Sequence, residues 1–103
     1  MHLTVAERKV MEVVWSAETV TAKEIAGILM ETAKWSKTTS YTMITRCMEK
    51  GYLLRQDPHF VCKSNISAEE VARLETEELL QNNFGGDATR LVEFLKATYK
   101  LPE

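Results

Sequence analysis

Residues 37 to 55 read KTTSYTMITRCMEKGYLLR, and their polar side chains are of kinds that can read a nucleic acid. Placed on a helix, Met43, Ile44, Cys47 and Met48 recur at the spacing of one buried face, and Thr38, Tyr41, Thr42, Thr45 and Arg46 fall opposite. Thr is a poor helix former, and a face meeting only water is better served by Glu or Lys. Hydroxyls donate or accept, need little room, and in Thr add a methyl suited to thymine; an Arg one turn beyond Thr42 reaches guanine bidentately or a phosphate. Lys37, Lys50 and Arg55 flank this face, where cations set register on a phosphate backbone. The candidate DNA-contacting set is therefore Lys37, Thr38, Thr39, Tyr41, Thr42, Arg46, Lys50 and Arg55. A blander reading stays open, in which the Thr residues are caps, Tyr41 folds back onto the core and Arg46 pairs with Glu49 at i+3.

Other chemistry is sparse. Cys47 and Cys62 are too few for a disulfide framework or a metal quartet, and both are expected to be reduced, buried, small apolar side chains. His59 with Cys62 offers two metal-ligand types where a site needs about four, so no metal and no cofactor is expected. Ser/His/Asp spacing, a Gly-rich phosphate loop and paired carboxylates are all missing, and Gly85-Gly86 reads as a break between helices. The chain does not read as an enzyme.

The elements that must position the helix face are legible from their caps. Thr4 with Glu7, and Thr21 with Glu24, form capping boxes that open two helices, the second staying helical to about Thr32 with Ile25, Ile28 and Leu29 as its buried face. The third helix is expected to start near Thr38 or Thr39 and to stop at Gly51. Tyr52–Leu54 and Phe60–Cys62 read as two short antiparallel strands around a turn at Gln56, Asp57 and Pro58. Three short helices followed by a hairpin is the order of a winged helix-turn-helix.

Beyond Asn65 the texture changes. Ser67 and Glu70 open a helix that Gly85 and Gly86 break, and Asp87 caps a last one. Their apolar residues call for a partner, with Val71, Leu74, Leu80, Leu91, Val92 and Leu95 as the candidate dimer interface. The expected architecture is mainly α with a small β-hairpin: a winged helix DNA-binding domain over residues 1–65, then C-terminal dimerisation helices over 66–103. Charge divides at the same place. Residues 1–64 carry nine Lys or Arg against seven Asp or Glu, whereas residues 65–103 carry four against eight, so affinity for a polyanion belongs to the first part. No apolar run approaches the roughly 18 residues of a spanning helix and no export signal opens the chain, so a cytoplasmic location without membrane insertion is expected.

These residues resemble the penicillinase-repressor (BlaI/MecI/CopY) type of winged-helix transcriptional regulators. The resemblance is carried by LTVAERKVMEVVW at 3–15, EI at 24–25, WSKTTSYTMITRCMEKGYL at 35–53, FVCKSNIS at 60–67 and AEEVARLETEELLQNNFGG at 68–86. It implies a homodimeric repressor on a dyad-symmetric, double-stranded DNA operator, with C-terminal helices as the dimer interface. For many members it further implies a membrane-bound sensor protease that cleaves the C-terminal part. Copper sensing is not implied, because the family's C-terminal cysteine cluster is missing. Several positions depart from the family pattern: Ser40 replaces Val or Ile, Cys47 replaces Leu, Cys62 replaces Tyr, and Asp57-Pro58 stands in a shorter, less basic wing tip. The sequence ends at Leu101-Pro102-Glu103, where the family's final helix is expected to begin. The rival reading is a winged helix that binds protein through Tyr41 and the hairpin, which would show little salt dependence.

Overall fold

Each helix of the first half starts where a side chain can satisfy the orphan amides of its first turn. In the computed structural model, which describes residues 2–102, the Glu7 amide donates to Thr4 Oγ1 (3.1 Å) and the Thr4 amide to Glu7 Oε1 (2.9 Å), opening α1 (Val5–Trp15). The same reciprocal pair, Thr21 with Glu24, opens α2 (Ala22–Thr32). Helix α3 (Lys37–Glu49) begins earlier than the Thr38 or Thr39 expected, because Ser36 is its cap and accepts from the Thr39 amide at 3.1 Å. It ends as expected. Gly51 takes φ +82°, its amide reaches the Met48 carbonyl, and the Tyr52 amide reaches the Cys47 carbonyl, the paired bonds of a Schellman ending.

The wing is a three-stranded sheet, not the two-stranded hairpin expected. Strands β2 (Leu53–Gln56) and β3 (Val61–Ser64) pair antiparallel with Leu53 opposite Ser64, and β1 (Val20–Thr21) adds to the far edge of β3 with Val20 opposite Cys62. Val20 is buried there. It closes the sheet against the helices, and the Ala22 amide extends the connection to the Phe60 carbonyl (3.0 Å). Both hairpin strands run two residues further than their apolar cores suggest, since Arg55, Gln56, Lys63 and Ser64 are exposed but still paired.

Residues 2–68 form one compact unit. Its core gathers Val10, Met11 and Val14 of α1, Ile25 and Leu29 of α2, Ile44 and Cys47 of α3, and Leu53 and Cys62 of the sheet. Ile28, expected inside, is 42% exposed. At the unit's far end the Trp15 indole donates to the Ile66 carbonyl (2.9 Å) and the Ser64 hydroxyl (3.1 Å), tying the segment that leaves β3 to the end of α1. Residues 69–102 form the second unit, comprising most of α4 (Ala68–Phe84) and α5 (Ala88–Tyr99). Gly85 and Gly86, both at positive φ, turn the chain between these helices, Asp87 caps α5, and the Phe84 and Phe94 rings meet at 5.4 Å. No helix of the described residues is long and apolar enough to cross a membrane.

One buried group on α3 has no partner. The Ser40 hydroxyl is fully enclosed and makes no hydrogen bond among the described residues. A desolvated hydroxyl without a partner is costly, and Ser is a weaker helix former than Ala. Ser40→Ala is expected to stabilise the protein by about 1 kcal/mol, read as a higher urea midpoint with an unchanged slope.

Candidate nucleic-acid interface

The winged unit leaves the polar face of α3 in solvent. Lys37, Thr38, Thr39, Thr42, Thr45 and Arg46 are exposed, and Lys37, Thr38, Tyr41, Thr42, Thr45 and Arg46 line a shallow depression along the helix, with Glu49 at its far end. Arg46 lies in the last turn, where the helix dipole favours a cation, and makes no ion pair among the described residues, with Glu49 or otherwise. Thr39 serves as more than an exposed hydroxyl, because the Ser36 hydroxyl donates to it at 3.0 Å and fixes the first turn.

Tyr41 lies between the two expectations, half-buried and neither sealed in the core nor free. Its ring meets Phe60 edge-on, with centroids 6.2 Å apart and planes at 71°, and the Lys37 ammonium stands 5.9 Å from its centroid. Arg55 also packs on Phe60, its guanidinium 3.7 Å from the ring centroid and its Nε donating to Asp57 Oδ1 at 3.0 Å. The wing thus brings Arg55 into a contact chain with α3. Phe60 is the member that sequence reasoning missed. The available signal was an aromatic between a turn and a strand, which reads equally well as ordinary strand filling.

Lys50 is elsewhere. Its ammonium lies 2.6 Å from Glu7 Oε2, and that carboxylate is completely buried at the start of α1. Burial pushes the Glu7 carboxyl up, but the Lys50 hydrogen bond and charge and the two bonds with Thr4 outweigh it, leaving the pKa below its ordinary value; the Lys50 ammonium is raised correspondingly by Glu7. Lys50 thus joins the C-cap of α3 to the N-cap of α1, a pairing that its sequence position alone did not reveal. The signal was present: Glu7 falls on the same stripe as Val10, Met11 and Val14, and a carboxylate there needs a cation. Lys50→Met is expected to leave the salt dependence of DNA binding unchanged while lowering stability, whereas Lys37→Met should reduce the salt slope by about one unit. Filter binding across a salt series measures both.

The remaining candidates carry little chemistry. Cys47 and Cys62 are free and buried, and burial, with the Glu7 carboxylate, pushes the Cys47 thiol up to about 12; burial likewise raises Cys62. Neither is a thiolate at neutral pH. Among the described residues no three His, Cys, Asp or Glu side chains gather as a metal site. Of the interface candidates, Val71 is buried, Leu74, Leu80, Leu91 and Leu95 are half-buried, and Val92 is 47% exposed.

Comparison with known proteins agrees with this frame. A solution structure of the DNA binding domain of the repressor BlaI matches 67% of this chain and 87% of its own at 31% identity, with a TM-score of 0.62. The Bacillus licheniformis BlaI monomeric form, solved in complex with the blaP half-operator, matches 68% of this chain and 88% of its own at 30% identity, with a TM-score of 0.58. Penicillinase repressors of Bacillus licheniformis and Staphylococcus aureus are each 28% identical, the first over 84% of this chain and 70% of its own length, the second over 89% and 75%. The family model described as penicillinase repressor matches residues 3–103, nearly the whole chain, and the protein belongs to the penicillinase repressor family.

Proposed function

We propose that this protein is a DNA-binding transcriptional repressor that occupies a dyad-symmetric operator as a homodimer. The observation that carries the reading is the exposed row of hydroxyls and cations on α3, presented by a winged-helix frame similar to one solved on a half-operator. In this reading Thr38, Thr42 and Arg46 meet base edges, Tyr41 borders them, and Lys37 and Arg55 meet phosphates, while Thr39 stiffens the first turn. Two copies related by a two-fold axis double the base contacts, and their half-sites are spaced by about 10 base pairs or a multiple. Leu74, Leu80, Leu91, Val92 and Leu95 supply apolar surface for the second copy, and Val71, already buried, has little left to give. Release follows cleavage in the C-terminal helices by a membrane-bound sensor protease, as in the family.

Footprinting on the DNA upstream of the protein's own gene, at two salt concentrations, tests the reading. Symmetric protection that weakens steeply with salt is the expected result. Binding that ignores salt, or no protection at all, would turn the reading toward a winged helix that contacts protein through Tyr41 and the hairpin. A monomer at micromolar concentration would remove the dimer.

A further inference from the structure

We propose that Phe60 is a positioning residue that couples the wing to the recognition helix, its ring holding Arg55 and Tyr41 at a fixed separation so that both meet one DNA surface. The proposal rests on the DNA-binding reading above. Its starting point is the backbone. Phe60 has φ +52°, in the left-handed region where a bulky side chain is disfavoured and Gly or Asn is the cheaper choice. Strain of this kind persists only where the surroundings hold it, and here they hold it from both ends of the residue. The Phe60 carbonyl accepts the Ala22 amide at 3.0 Å, fixing the turn to the start of α2. The ring meets both the Arg55 guanidinium, 3.7 Å from its centroid, and the Tyr41 ring, whose centroid is 6.2 Å from its own at 71° between planes.

Among the described residues Arg55 reaches α3 through this ring. Its ion pair among the described residues is with Asp57 in the wing itself, and the two side chains are 48% and 61% exposed, so that pair is weak and does not reach α3. Guanidinium stacking on an aromatic face is the stronger and more directional contact. Tyr41 completes the link, since its α3 position places it beside Lys37 and in the same shallow depression as Arg46. A glycine at residue 60 would keep the turn and relax the backbone, yet sever this connection. The aromatic therefore stands where the backbone disfavours it because of what its ring touches.

The test combines Phe60→Gly with a double-mutant cycle. Titrations use a duplex covering the footprinted segment, at fixed salt, with thermal melts of every variant. Phe60→Gly is expected to melt within a few degrees of the native protein, relief of strain offsetting loss of the ring, while binding the duplex about tenfold more weakly. Tyr41→Leu and Arg55→Met should be coupled in the native background, their combined loss departing at least about threefold from the product of the single losses, and additive when Phe60 is Gly. Should Phe60→Gly fail to fold, Phe60→Leu, which keeps bulk and lacks the aromatic face, is expected to show the same weakening and the same loss of coupling. Native-like binding by the folded variant, or coupling that survives it, overturns the role of Phe60. Absence of salt-dependent binding by the native protein overturns the DNA-binding reading itself, and the proposal with it.

Discussion

Glu7→Ala is expected to cost clearly more than the about 1 kcal/mol of a lost cap, because it also empties a fully buried site and removes the pairing that ties α3 to α1. The Glu7 carboxylate accepts the Thr4 amide with one oxygen and meets the Lys50 ammonium with the other, while being wholly excluded from water. The second capping box supplies an internal control. Glu24 makes the same bond to the Thr21 amide but is exposed and pairs with nothing across the fold among the described residues, so Glu24→Ala should cost about 1 kcal/mol. Chemical denaturation of both variants separates the cap from the cross-link. Equal losses would mean that the pairing with Lys50 contributes nothing. The pH dependence has a definite sign. Since the folded pKa lies below the ordinary 4.5, the stabilisation is fully present above that value and is lost as pH falls through the lower folded value. The stability gap between the native protein and Glu7→Gln should therefore be widest near neutrality and close in acid.

Arg46→Ala is expected to weaken operator binding by about 1–3 kcal/mol, with the size of the loss depending on which base stands opposite. Arg46 is exposed and unpaired among the described residues, so the substitution removes no internal contact and stability should move by less than about 0.5 kcal/mol. That separation makes the measurement clean. Fluorescence anisotropy with the native operator and single-base variants, at fixed salt, distinguishes a guanine contact from a phosphate contact. A uniform loss on every duplex assigns Arg46 to the backbone. No loss on any of them removes it from the interface.

What could be read from the sequence is what short-range chemistry decides. Thr4 with Glu7 and Thr21 with Glu24 announce their helices because donor and acceptor are three residues apart, and Gly51 announces an ending because few residues tolerate its φ. The outward face of α3 was legible for the same reason, since periodicity is local. What was lost depends on pairings across the chain. Strand β1 is two residues long, and its partners Val61 and Cys62 lie about forty positions away, so Val20 shows only as an apolar residue before a cap. Lys50 looked like a free cation because its acidic partner lies on another helix, and Phe60 looked like strand because an aromatic residue, unlike Gly or Asn, gives no sign of a left-handed backbone. The start of α3 was misplaced for a smaller reason: Ser36, Thr38 and Thr39 are all competent caps, and only geometry chooses among them.

The bond from the Trp15 indole to the Ile66 carbonyl gives the molecule an optical gauge of its own. Any pull, cut or refolding that peels residues 64 to 66 from the end of α1 must first strip that indole of its acceptor and wet it, changing its emission. The departure of this segment can thus be followed in real time without attaching a dye, provided the other tryptophan, Trp35, is replaced by a non-fluorescent ring.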